Sequence, residues 1–125
     1  MKIGFMGLGK LGLPCALAIE ERGHTVYGYD IDDGVKTILE TKVLPYREEG
    51  APERLQNHNI DFASVDELVK KSDIIFVPIQ TPHDPRYEGT TRIPEERVDF
   101  DYEWLKSGLK SLSDAIDKNG EDKIV

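Results

Sequence analysis

The chain has 125 residues, 38% hydrophobic and 32% charged, which suits one globular domain with a core of its own and excludes a disordered polar chain. Its net charge of −8 and pI near 4.8 argue against nucleic acid and anionic membranes as partners. No apolar run approaches the ~18–20 residues that span a bilayer, the N-terminus reads as a strand rather than a signal peptide, and the lone Cys15 forbids an internal disulfide and fits a reducing cytoplasm.

Lys2-Ile3-Gly4-Phe5-Met6 reads as a short buried strand, and Gly7-Leu8-Gly9-Lys10-Leu11-Gly12 follows at once, fitting G-x-G-x-x-G. In that pattern Gly7 permits the tight strand-to-helix turn. Gly9 lets a pyrophosphate reach the backbone without meeting a Cβ, and Gly12 lets the helix pack closely on the strand. A helix is predicted from about Lys10 to Arg22, with Leu11, Cys15, Ala18 and Ile19 inward. Pro14 falls near the first turn, where its cost is small, and Gly23 ends the helix. Residues 25–29 form the second strand, which ends in Asp30, 18 residues after Gly12, close to the usual spacing of ~20. A carboxylate there can accept both ribose hydroxyls and repels a 2′-phosphate, so NAD is expected rather than NADP. The helix start and Lys10 supply the positive potential that an anionic cofactor needs in an acidic chain.

A second helix covers roughly residues 32–41, with Val35, Ile38 and Leu39 inward and Asp32 or Asp33 as its cap. Residues 42–50 form a connector containing Pro45, and residues 51–58 a short helix. Residues 60–62 read as a third strand. Ser64 with Glu67 three positions on reads as a capping box opening another short helix. Residues 73–79 are apolar on both faces, as a central parallel strand should be. A polar loop of 17 residues, His83 to Asp99, is long for a compact domain. Residues 100–117 form a helix with Leu105, Leu109, Leu112 and Ile116 on one stripe. Asn119-Gly120 stops it, and residues 123–125 begin a further strand.

The alternation predicts an α/β fold, a Rossmann-type doubly wound parallel sheet in three layers, with right-handed crossovers and strand order 3-2-1-4-5, the last strand truncated. Ligand then binds beyond the carboxyl ends of the strands, where the first meets the fourth. That rule places Gln80-Thr81-Pro82 beside the glycine loop, with the Thr81 hydroxyl available to the cofactor.

These residues resemble the N-terminal NAD-binding domain of the UDP-glucose/GDP-mannose dehydrogenase family. The likeness rests on Gly7-Leu8-Gly9-Lys10-Leu11-Gly12-Leu13-Pro14, on Tyr29-Asp30-Ile31-Asp32, on the connector from Lys42 to Leu55, and on Val77-Pro78-Ile79-Gln80-Thr81-Pro82. By resemblance, Leu8, Lys10 and Leu11 belong to the loop that holds the pyrophosphate, with backbone N–H groups from Lys10 and Leu11. Asp30 holds the adenosine ribose, helped by Lys36, and Ile31 flanks the adenine. Gln80 and Thr81 line the cofactor's ribose, Gln80 standing where the family often has glycine. The resemblance implies an enzyme that oxidises the primary alcohol of a nucleotide sugar to a carboxylate with NAD. It also implies that residues 1–125 are the N-terminal part of a longer dehydrogenase, with the catalytic and sugar-binding domains elsewhere, so that this chain alone is inactive.

Two alternatives stay open at this point. A β-hydroxyacid dehydrogenase cofactor domain begins with a similar motif, and so does the stand-alone NAD-binding regulatory module of potassium channels. No catalytic and no metal-binding residue is assigned. Cys15 reads as a packed helix residue rather than a nucleophile, and His24, His58 and His83 share no metal spacing. His58 is expected in a surface helix. Arg86, Arg92 and Arg97 read either as substrate contacts or as solvated surface. Phe100, Tyr102 and Trp104 either anchor an interface or cover the sheet edge. A sheet cut at its fifth strand exposes apolar surface, which points to a homo-oligomer.

Overall fold

The computed structural model describes residues 1–125. Its elements run β1 (Lys2–Met6), α1 (Gly12–Glu21), β2 (Thr25–Tyr29), α2 (Asp33–Thr41), α3 (Ala51–Asn57), β3 (Asp61–Phe62), α4 (Val65–Lys71), β4 (Ile74–Phe76), a 3-10 turn (Pro85–Tyr87) and α5 (Glu103–Asn119). The four strands form one sheet in the order β3-β2-β1-β4, and every pairing is parallel. Lys2 lies opposite Thr25 and Met6 opposite Tyr29; Ile3 lies opposite Ile74 and Phe5 opposite Phe76. The expected fifth strand does not form. Ile124 makes one isolated parallel bridge to Ile74 and nothing more.

The pleat sends alternate residues of β1 to opposite faces, and two cores follow. Ile3 and Phe5 join Leu8, Leu13, Ala16, Leu17, Val26, Val35, Leu39, Ala51, Leu55 and Ile60, beneath α1, α2 and α3. Met6 joins Leu68, Val69, Ile75, Leu112 and Ala115, beneath α4 and α5. Helices on both faces of a parallel sheet make the three layers that the alternation of elements predicted.

Local signals set the helix ends. Asp32 caps α2, its side chain accepting from the Gly34 N–H. Ser64 and Glu67 form a reciprocal capping box at α4: the Ser64 Oγ accepts from the Glu67 N–H, and the Glu67 carboxylate accepts from the Ser64 N–H at 3.0 Å. Gly120, with φ of +72°, ends α5 in the left-handed region where glycine is favoured.

Four expectations need correction. The inward face of α1 is Gly12, Leu13, Ala16 and Leu17, while Leu11 and Cys15 are exposed. The helix starts at Gly12 rather than Lys10 because residues 7–11 are held as the loop. The fourth strand is three residues long rather than seven, and Phe76, stacked on Phe5 at 5.2 Å between ring centres, is 45% exposed because no helix covers that part of its face. In α5, Leu112 and Ala115 are buried but Leu109 is exposed.

The capping box generates a pH-dependent prediction. Hydrogen bonds from the Ser64 N–H and hydroxyl hold the Glu67 carboxyl below its ordinary range. A folded-state pKa that is depressed gives stability present above the unfolded pKa and lost as pH falls through the folded one. Urea unfolding at pH 7 should show Ser64→Ala less stable by about 1 kcal/mol. The gap between parent and variant should narrow in titrations below the ordinary glutamate range, and a gap that stays constant down to pH 2 would contradict the assignment.

Candidate cofactor site

The site begins where β1 ends. The Gly7 N–H donates to the Tyr29 carbonyl at 2.8 Å, which extends the β1–β2 pairing by one bond before the chain turns. Gly7 takes φ of +117° to make that turn, a conformation that side chains disfavour. The loop then crosses the carboxyl edge of the sheet and enters α1 at Gly12. A Cβ on Gly12 would lie 2.1 Å from the Gly7 carbonyl oxygen, so the helix can start this close to the strand only with glycine there.

Asp30 fixes the loop from the neighbouring strand. One carboxylate oxygen accepts from the Leu8 N–H at 2.7 Å and the other from the Asp32 N–H at 2.9 Å. The Leu8 side chain drops into the core and is almost wholly buried. It occupies the space that a Cβ on Gly28 would need, with its Cδ1 at 2.5 Å from that position. Sequence reasoning misses Gly28, whose only trace in the sequence is a glycine inside a strand, in register with Phe5.

The outer surface of the loop is free. The N–H groups of Gly9, Lys10, Leu11 and Gly12 donate to no group in the chain, and α1 has no side-chain cap at its start. A Cβ built on Gly9 would meet only the Gln80 Nε2, at 4.0 Å. These features fit an anion: unpartnered donors, the positive end of a helix dipole and open space over a glycine. Pro78 lies against the same loop, its carbonyl oxygen 3.2 Å from a Cβ built on Gly7. The segment after β4 and the glycine loop therefore meet as the switch-point rule predicts. Thr81 follows Gln80, half-buried, at the same edge.

The other sequence candidates are placed as follows. Ile31 and Leu11 are exposed apolar side chains, near Asp30 and in the glycine loop respectively. Lys36 forms an i,i+4 pair with Glu40 at 3.9 Å and none with Asp30. Arg86 is engaged inside its own loop by Asp84 at 3.0 Å and by Glu96 at 3.4 Å. His58 is not a surface helix residue: it caps α3, half-buried, with the Ile60 N–H donating to its Nδ1 and its Nε2 3.0 Å from the Leu39 carbonyl oxygen. That pattern fits the neutral ring with the proton on Nε2. Phe100 and Trp104 are exposed rather than laid over the sheet edge.

Comparison with known proteins identifies the family and the fold. The family model for the NAD binding domain of the UDP-glucose/GDP-mannose dehydrogenase family matches residues 1–125. An uncharacterized protein of Methanocaldococcus jannaschii is 31% identical over 128 positions, covering 100% of this chain and 13% of that protein. The GDP-mannose 6-dehydrogenase of Pseudomonas syringae pv. tomato is 26% identical over 134 positions, covering 100% of this chain and 27% of that enzyme. The solved structure of a GDP-mannose dehydrogenase from Pseudomonas aeruginosa shares the fold, with a TM-score of 0.80 at 23% identity over 98% of this chain and 27% of that one. The chain thus spans about a quarter or less of the length of these relatives.

Because Asp30 anchors the loop before any ligand arrives, its removal should register in the ligand-free chain. Asp30→Ala is expected to lower stability by about 2 kcal/mol, the scale of hydrogen bonds to a charged group. Urea unfolding without nucleotide measures this, and an unchanged midpoint would show that the loop holds its shape without the carboxylate.

Proposed function

The chain belongs to the UDP-glucose/GDP-mannose dehydrogenase family, of which it is the NAD-binding domain, and we propose that it holds NAD for the oxidation of a nucleotide sugar's primary alcohol to a carboxylate. The oxidation removes two hydrides and takes up one water, so two NAD molecules, bound in turn, supply the hydride acceptors. The rest of the chemistry assigned to this chain is binding and orientation.

In this reading the free N–H groups of Gly9, Lys10, Leu11 and Gly12 take the pyrophosphate, with Gly9 giving the open approach. The observation that carries the reading is the conjunction of those unpartnered donors with the Asp30 carboxylate, bonded to the same loop through the Leu8 N–H. Each carboxylate oxygen has two acceptor sites, so Asp30 can keep its backbone bonds while accepting from the two ribose hydroxyls. Asp32 and Asp33 follow close behind and add negative charge where a 2′-phosphate would need positive. Ile31 offers apolar surface to the adenine. Gln80 and Thr81 serve the ribose on the nicotinamide side, the Gln80 amide lying 4.0 Å from a Cβ built on Gly9. Lys36 contributes only by leaving Glu40, an exposed pair worth little.

Calorimetric titration tests the assignment. NAD should bind, NADP should bind at least roughly tenfold more weakly because like charges meet at Asp30, and Asp30→Asn should narrow that difference while remaining folded. Equal affinity for the two cofactors in the parent chain would remove Asp30 from the ribose site. A folded chain that binds neither would overturn the cofactor assignment.

A further inference from the structure

The connector between α2 and α3 comes close to the glycine loop through one contact. The Lys10 ammonium stands 5.9 Å from the centre of the Tyr46 ring, over its face, within the range of a cation–π attraction. Lys10 joins none of the chain's ion pairs, although the protein carries a net charge of −8. Its charge is therefore held by a neutral ring, which attracts it without cancelling it.

The connector that carries Tyr46 is tied at both of its ends. Lys42 at the C-cap of α2 and Gln56 in α3 exchange hydrogen bonds: the Lys42 Nζ donates to the Gln56 carbonyl at 2.6 Å, and the Gln56 Nε2 donates to the Lys42 carbonyl at 2.8 Å. The Ala51 N–H donates to the Glu48 carbonyl at 3.3 Å. The Tyr46 hydroxyl is shut away from solvent with no hydrogen-bond partner, and burial, then the nearby Glu48, push the phenol upward so that it stays neutral. An unsatisfied buried hydroxyl is a cost with no structural return. What the residue contributes is the face of its ring.

Resting on the cofactor reading above, we propose that Tyr46 is a positioning residue: its ring holds the Lys10 ammonium at the glycine loop, where the charge meets the cofactor's pyrophosphate. A carboxylate in place of the ring would neutralise Lys10, and a small aliphatic side chain would leave the ammonium free to swing into solvent. The aromatic face does neither. It also limits the side-chain freedom that a long lysine otherwise loses on binding.

The effect belongs to the phosphates, so the test uses ADP and adenosine as probes in calorimetric titrations of the full chain. The parent should bind ADP more tightly than adenosine. Tyr46→Leu and Lys10→Met should each weaken ADP by roughly three- to tenfold and change adenosine by no more than about twofold. The double variant should be no weaker than Lys10→Met alone. Tyr46→Phe, which keeps the ring and deletes the unpartnered hydroxyl, should keep ADP affinity and melt no lower than the parent. The proposal is overturned if Lys10→Met or Tyr46→Leu spares ADP, if either weakens both ligands alike, or if Tyr46→Phe loses as much as Tyr46→Leu. Binding of neither ligand by the folded parent overturns the cofactor reading and this proposal together. Binding of both, with unaltered affinities in the variants, overturns this proposal alone.

Discussion

The glycine loop has almost no side chains of its own to hold it, and its shape depends on one carboxylate, that of Asp30. The bond from the Leu8 N–H to Asp30 at 2.7 Å fastens the loop to the end of β2. From the other side the Leu8 side chain anchors it in the core, in the gap that Gly28 leaves. The two restraints are of similar size, since burying a leucine and bonding a charged acceptor are each worth about 1.5–3 kcal/mol. Both act on the same residue, so the loop is pinned at its second position and its later N–H groups are left facing outward. Ribose recognition and loop geometry thus share one side chain. A substitution at Asp30 touches both, and only measurement without ligand separates them.

Much of this was legible in the sequence because the fingerprint is a backbone requirement written in side-chain absences. Gly7, Gly9, Gly12 and Asp30 stand where their spacing implies, and the Ser64–Glu67 cap formed as read. The rotation of α1 was not legible. Leu11, Leu13, Cys15, Ala16, Leu17, Ala18 and Ile19 are apolar almost all round the helix, so periodicity alone selects no face. What selects it is Gly12, which must point at the Gly7 carbonyl. Gly12 lies at one edge of an arc of about 140° that also holds positions 13, 16 and 17, and these are the residues buried. Leu11 and Cys15 are exposed, and Ile19 is half-buried against the edge of the core. With Phe5, Phe76, Val77 and Pro78, the side chains of Leu11, Cys15 and Ile19 line an open groove of about 390 Å³.

Charge placement follows a similar logic. The chain is acidic, and eight of its 16 Lys and Arg side chains are paired with carboxylates, as in Arg54 with Glu21 and Lys71 with Asp61. Such exposed pairs contribute little stability, roughly 0–1 kcal/mol each, but they remove charge from general circulation. The long loop shows this best. Arg86 pairs with Asp84 and Glu96, the Tyr87 hydroxyl donates to the Glu96 carbonyl, and the Asp101 N–H closes the neck on the Pro82 carbonyl at 2.7 Å. The arginines of this loop could be read either way from sequence, because partners ten residues apart are set by the path of the loop and not by spacing. Arg86 is thus engaged within its own loop, whereas Lys10 joins no ion pair and stands over the Tyr46 ring.

The short fourth strand completes the argument. The apolar run at residues 73–79 suggested a strand of seven residues, yet pairing ends at Phe76. Strand length is set by partners. β1 offers Ile3, Gly4 and Phe5 to β4, then turns away at Gly7, and Pro78 has no N–H to offer a ladder in any case. The chain beyond Phe76 is therefore released from the sheet while still apolar. It lies against the turn that released it, with Pro78 beside Gly7 and Gly12 and the Gln80 amide across from Gly9. The turn at Gly7 thus does two things at once: it lifts the loop N–H groups clear of the sheet, and it ends β4 early enough for Gln80 to reach the same edge. A fourth strand paired along its full apolar run would carry Gln80 past the loop, and the cradle would lose one of its walls.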